Sequence, residues 1–235
     1  MILPIDKFSE IFAHYGFEIT EKKYSDFSLY ARLLVEWNEK INLTAITDPE
    51  GITVKHFLDC VLMLKYAEIA QNSALIDVGT GAGFPAVPLK ICRNDIDVTL
   101  LDSLNKRLIF LDEVAQELKM PMKTVHFRAE EGAKKPELRE NFDVATARAV
   151  AALPVLYEYC LPYVKIGGQF IALKGPNEDY RAANSALKLL GGELAEVKEY
   201  SLPNGDGRML IVAKKISQTS SKYPRNSSQI SKKTL

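Results

Sequence analysis

The 235-residue chain is predicted to fold as an α/β protein, with a seven-stranded, mostly parallel sheet that ends in an antiparallel hairpin and follows an N-terminal helical extension. Three observations predict this. From residue 74 onward, apolar runs suited to buried strands alternate with amphipathic stretches, a pattern that lays parallel strands beneath helices on both faces. The first run enters Asp77-Val78-Gly79-Thr80-Gly81-Ala82-Gly83, an acid followed by alternating glycines. The final pair of strand candidates is joined by Pro203-Asn204-Gly205-Asp206-Gly207, far too short for a crossover helix, so the two must run antiparallel.

Each element has its own warrant. Phe27, Tyr30, Leu34, Trp37 and Ile41 lie three or four residues apart and mark one apolar helix face, with Trp37 expected in the core. Asp48-Pro49-Glu50 is a helix start, and His56 to Tyr66 forms a further amphipathic helix. Strands are expected near 74–78, 98–102, 124–128, 142–147, 168–173, 195–200 and 208–214. Between the second and third, Leu104, Leu108, Leu111, Ala115 and Leu118 line a helix over 104–118 that Ser103 is placed to cap. After Ile216 the chain is rich in Ser, Lys and Asn without periodicity and is expected to be mobile. The expected division is a helical extension over 1–70, a core domain over 71–216 and a basic flexible tail over 217–235.

Thirty basic and thirty acidic residues cancel overall but are unevenly spread. Lys214, Lys215, Lys222, Arg225, Lys232 and Lys233 meet no acid after them, which leaves 24 basic and 30 acidic residues before. A basic tail on an acidic body suits contact with a polyanion, and equally a solvated segment. Cys60, Cys92 and Cys160 are scattered, as expected for free thiols in a reducing compartment, and form no metal-type pair. No secretion signal or apolar run of membrane-spanning length is visible, so a cytoplasmic protein with no membrane and no metal is expected, a monomer by default.

In an open parallel sheet the ligand sits at the carboxyl ends of the strands. Gly79, Gly81 and Gly83 let backbone approach a ligand closely, and Asp102, closing the next strand, can accept two hydrogen bonds from a ribose diol. An adenosine-containing cofactor follows. A dinucleotide site would need glycine where Phe84 stands, and Pro85 follows it, which argues against a nicotinamide enzyme. The acid-x-Gly-x-Gly-x-Gly form resembles the first motif of S-adenosylmethionine-dependent methyltransferases, of Rossmann-like class I fold. Asp77 either holds the cofactor's amino group or stabilises the glycine turn. Ala129 and Glu130 follow the third strand, where adenine should lie. Arg148, at the end of the fourth, is the best candidate beside the reacting atom. The Asn-Pro-Pro-Tyr motif of amino-group methylation is absent, as is the Pro-Cys of cytosine C5 methylation. A target that needs no general base, such as guanine N7, fits.

Seven segments, in this order, carry a closer resemblance: Asn42-Leu43-Thr44, His56-Phe57-Leu58-Asp59, Asp77 through Pro85, Leu100-Leu101-Asp102-Ser103 with Lys106-Arg107, Arg128-Ala129-Glu130-Glu131, Ala147-Arg148-Ala149 and Leu173-Lys174-Gly175. Over about residues 20 to 225 the chain resembles the ribosomal RNA small subunit methyltransferase G family, also called glucose-inhibited division protein B. The resemblance implies methylation of N7 of one guanine in 16S ribosomal RNA. It implies cofactor contacts at Gly79, Phe84, Ala129, Glu130 and Arg148, with Asn42, His56, Asp59, Lys174 and Arg208 at other recurring positions. The RNA-binding candidates are Asn42, His56, Lys106, Arg107, Lys174, Arg208, Lys222 and Arg225. For His56 the alternative is a cap or packing role, and for Lys106-Arg107 plain decoration of a helix. Two departures stand out: Ala86 replaces the family's usual glycine, and the tail after Lys222-Tyr223-Pro224-Arg225 loses its usual Gly-x-Pro step. The competing functions are methylation of another RNA position, such as a ribose 2′-hydroxyl, and a non-catalytic ribosome-binding protein that retains the fold.

Overall fold

The computed structural model describes residues 2–235. Helices α1 (Ile5–His14) and α2 (Glu21–Asn38) come first. A composite helix, α3, then runs over 49–66; Asp48 starts it by accepting a hydrogen bond from the Gly51 amide at 2.7 Å, as the Asp-Pro-Glu signal implies. Its middle, Ile52–Leu58, is wound as a π-helix, which the sequence did not announce.

The sheet follows: β1 (Ala74–Val78), α4 (Ala86–Cys92), β2 (Asp97–Asp102), α5 (Asn105–Leu118), β3 (Lys123–His126), α6 (Ala129–Gly132), β4 (Phe142–Arg148), α7 (Leu153–Cys160), β5 (Val164–Lys174), α8 (Asn184–Leu189), β6 (Gly192–Ser201) and β7 (Gly207–Lys215). The strand order is β3-β2-β1-β4-β5-β7-β6. β1 to β5 pair in parallel, and β7 lies antiparallel between β5 and β6, so the short terminal loop does force a hairpin. Each expected strand is present; β5 and β6 are longer than the apolar runs because both extend into polar residues at their ends.

Side chains alternate across the sheet and feed two cores. Leu75, Val98 and Leu100 pack on one face against α2, α4 and α5. Ile76, Val78 and Leu101 pack on the other against α7 and α8. The N-terminal helices are continuous with the first core: Phe8 and Phe12 stack at 4.5 Å between centroids, and both meet Phe27, which meets Phe57 of α3. Trp37 is only partly buried, against Phe110 on α5.

Two local expectations are corrected. Ser103 does not cap α5. Asp102 accepts from the Leu104 amide at 2.9 Å instead, because its carboxylate already faces the turn. The residues after Ile216 are docked rather than mobile. Arg139 donates to the carbonyls of Thr219 (2.7 Å) and Tyr223 (3.0 Å), Arg225 pairs with the buried Glu158 at 2.6 Å, and Ile230 of α9 (Ser227–Lys232) is buried. Its anchors all lie far away in sequence, so local composition carried no trace of them.

Candidate functional site

The carboxyl ends of β1 to β4 converge on a cleft of about 310 Å³. β1 runs into the glycine turn because Gly79 at φ +72° and Gly83 at φ +97° take a left-handed backbone that side-chain-bearing residues rarely adopt. The turn is tied to β2 by the Gly79 and Thr80 amides, which both donate to the Leu101 carbonyl at 2.8 and 3.0 Å. It is tied to the N-terminal layer by Tyr30, whose buried hydroxyl donates to the Ala82 carbonyl.

Asp102 lines the cleft from the end of β2. One oxygen accepts from the Leu104 amide and the other from the Gly81 amide, each at 2.9 Å, so the carboxylate is held by backbone; Arg107 approaches at 3.3 Å. Gly79, Ala129 and Glu130 also line this cleft, together with Tyr159, which sequence reasoning missed because it arrives from α7 with no motif around it. A carboxylate in a cleft where Gly79 brings bare backbone to the wall suits the diol and ring of a nucleoside.

Other expected cofactor residues stand elsewhere. Asp77 is fully buried; its Oδ2 accepts from Thr80 Oγ1 at 2.7 Å, and its Oδ1 has no partner. The Thr80 bond is of the kind that braces the turn, one of the two roles expected for Asp77. Burial pushes its carboxyl up to about 7, with the Thr80 hydrogen bond opposing. Gly83 faces Val87, Leu111 and Tyr30 rather than the cleft, so its lack of a side chain serves packing.

Phe84 is likewise buried and off the cleft wall. It is the floor of a stack: His56 lies on it at 4.4 Å between ring centroids, and the Arg148 guanidinium sits over it at 4.6 Å. Arg148 donates to His56 Nδ1 at 3.2 Å and to the Lys55 carbonyl at 3.1 Å. An arginine has no lone pair to accept with, so His56 Nδ1 must be the acceptor. The neutral ring then carries its proton on Nε2 and donates it to Thr44 Oγ1 at 2.8 Å. Burial first, and the Arg148 charge second, drive the His56 pKa down to about 3. Asp59, three residues on and on the same helix face, pairs with Arg148 at 3.5 Å and Arg208 at 3.2 Å, and accepts from Tyr200 at 3.3 Å. The π turn lies directly before it; such turns recur where helices carry functional groups.

These residues wall a second cleft of about 390 Å³, to which Lys174, Glu178 and Arg208 also contribute. Ala149, in a left-handed conformation at φ 57°, borders both clefts and joins them. Of the expected nucleic-acid residues, His56, Lys174 and Arg208 thus come together here, and Arg107 sits by the first cleft. Asn42, Lys106 and Lys222 are exposed and outside both. Arg225 is engaged by Glu158.

The fold recurs among solved structures of low sequence identity. TrmN from Thermus thermophilus is similar with a TM-score of 0.53 at 18% identity, covering 70% of this chain and 53% of that one. A branched-chain polyamine synthase from the same organism gives 0.57 at 12% identity, over 81% and 64%. Curated relatives are far closer. The ribosomal RNA small subunit methyltransferase G of Clostridium perfringens (strain 13 / Type A) is 52% identical over 224 residues, 94% of each chain, and that of Desulforamulus reducens 47% identical over 93% of each. The family model described as "GidB: rRNA small subunit methyltransferase G" matches residues 23–208.

The chain belongs to this family.

As a member of the methyltransferase G family, the protein is a methyltransferase whose seven-stranded sheet and hairpin follow the expected order. No described helix is long and apolar enough to cross a membrane, and no cluster of metal-ligating side chains occurs among the described residues. The match spans both clefts, including the Arg208 that closes the second. Thr44, inside the Asn42-Leu43-Thr44 segment but not itself a candidate, joins the site through His56, and Glu178, outside every motif, through Lys174.

Proposed function

We propose that the protein transfers a methyl group from S-adenosylmethionine to N7 of one guanine in 16S ribosomal RNA, presented as RNA or within the small ribosomal subunit, with S-adenosylhomocysteine as the other product. The reading is carried by the meeting of two unlike clefts at Ala149, one suited to a nucleoside and one rich in cations. The residues of the first fit the cofactor: Asp102 to accept the ribose diol, Gly79 to bring bare backbone to the wall, Ala129 and Glu130 at the adenine end. Asp77, Gly81 and Gly83 serve that cleft by shaping the turn. When bound, S-adenosylmethionine supplies a methyl group on a positively charged sulfur.

The second cleft takes the base. Guanine N7 has a free lone pair at neutral pH, so the chain need not remove a proton. That agrees with His56, whose Nδ1 is occupied by Arg148 and whose ring stays neutral. Arg148, Phe84 and His56 hold the wall where the two clefts meet, and positioning of this kind can lower a barrier by roughly 7–11 kcal/mol. A ribose hydroxyl would need a base to accept its proton, and Lys174 is ion-paired with Glu178 at 2.9 Å. Arg107 and Arg208 at the mouths of the clefts, with Lys106, Asn42 and Lys222 on the exposed surface, supply contacts for RNA phosphates.

The deciding experiment incubates the protein and labelled S-adenosylmethionine with small subunits from cells lacking the gene, and maps the product. Label as 7-methylguanine at one 16S position is expected. Label on a ribose, or none, overturns the reading.

A further inference from the structure

N7 has the same lone pair in guanine as in adenine, so the reacting atom does not choose between them. The choice must be made at another edge. The Watson–Crick edge of guanine offers one acceptor, O6, beside the N1–H and N2–H donors, whereas adenine presents the opposite order, an N6–H donor beside an N1 acceptor. A site selective for guanine therefore needs a fixed donor next to a fixed acceptor, of which a carboxylate is the strongest.

The second cleft holds two carboxylates. Asp59 is 3% exposed and is taken up by Arg148, Arg208 and Tyr200. Glu178 is different. Its side chain is 20% exposed, its Oε1 accepts from the Leu153 amide at 2.9 Å, and its Oε2 meets Lys174 Nζ at 2.9 Å. A carboxylate has about four lone-pair positions, so each Glu178 oxygen keeps one free. Lys174 Nζ gives one N–H to Glu178 and one to the Ala151 carbonyl at 2.9 Å, and an ammonium has three. The pair is anchored at the start of α7 and the end of β5, and is thus fixed before any base arrives.

Resting on the proposed guanine-N7 chemistry, we infer that Lys174 and Glu178 are the specificity-determining pair. Lys174 donates to O6, and Glu178 accepts from N1–H and the 2-amino group. The target base is then read on its Watson–Crick edge, which meets the N7 edge at O6, with N7 left facing Ala149 and the cofactor cleft.

Small subunits reconstituted with 16S RNA carrying either guanine or inosine at the methylated position test this, since inosine lacks only the 2-amino group. Wild-type kcat/KM should fall roughly 10-fold or more on inosine, the effect of leaving a charged acceptor short of one donor. Glu178→Gln should lower kcat/KM on guanine by roughly 10- to 100-fold and largely erase the preference for guanine over inosine, with S-adenosylmethionine affinity unchanged. Equal rates of the wild-type protein on both substrates overturn the inference without any variant. So does a Glu178→Gln or Glu178→Asp protein that keeps the full preference, or that loses the same factor on both substrates, because a purely structural role would act that way. A wild-type protein that makes no 7-methylguanine on the guanine substrate instead refutes the proposed function itself.

Discussion

Glycines 79 and 83 stand in one motif but answer to different forces, and substituting alanine at each separates them. At Gly83 an added Cβ would lie 2.6 Å from Val87 Cγ2, 2.8 Å from Leu111 Cδ2 and 3.0 Å from Tyr30 Oη. All three neighbours are buried and have no room to retreat. Overpacking of this kind costs ~1–3 kcal/mol. Holding a non-glycine residue at positive φ costs a further ~1–2 kcal/mol. Gly83→Ala is therefore expected to lose about 2–5 kcal/mol in urea unfolding, with an unchanged m value. Where it is folded, its affinity for S-adenosylmethionine should stay near wild type, because the methyl points into the core. At Gly79 the added Cβ would meet only Val150, 2.9 Å away, whose side chain is exposed and can turn aside. Gly79→Ala should thus lose only ~1–2 kcal/mol, yet weaken cofactor binding by at least roughly tenfold, since its methyl enters the cleft wall. Calorimetric titration beside urea melts decides the matter. A Gly83→Ala protein as stable as wild type, or a Gly79→Ala protein that binds normally, would refute the division of roles.

Three further outcomes are expected. Asp77 is raised to about 7 in the folded protein from an unfolded value of 3.8, so it stabilises the fold fully below pH 3.8 and that contribution is lost as pH rises through 7. Asp77→Asn should flatten the stability profile between pH 4 and 7 by up to about 4 kcal/mol, measured by urea melts across that range. Removing Arg225 leaves the carboxylate of Glu158, 1% exposed, without its charge partner. Arg225→Ala should cost about 2–4 kcal/mol, less than a fully buried pair because the guanidinium is one-fifth exposed, and should expose residues 217–235 to hydrogen exchange. His56 is neutral at every pH well above 3, so its imidazole resonances followed by NMR should not titrate between pH 6 and 8, and a His56 titration step near 6.5 would refute the assigned tautomer and its bond to Arg148.

The sheet, the hairpin and the place of the first cleft were all legible in consecutive residues. Strand burial, glycine turns and short loops are local constraints, written in consecutive residues: Leu75 to Val78 had to be a buried strand, and the loop over 203–207 had to be a hairpin. The sequence also marked Asp102 and Arg148, because a charged residue closing an apolar strand is visible as an anomaly. What it could not resolve was direction. Gly83 and Phe84 belong to the motif yet face the core, and Asp77 turns inward, since a side chain's heading depends on what the folded neighbours leave open. The π turn in α3, the stack of His56 and Arg148 on Phe84, the docking of the tail on Glu158 and the pairing of Lys174 with Glu178 were decided only in the tertiary structure. The stack and the tail depend on partners brought together from separate elements, and such contacts leave no periodicity in either segment; Lys174 and Glu178 are only four residues apart, but no helix or strand pattern spans them to signal the pair.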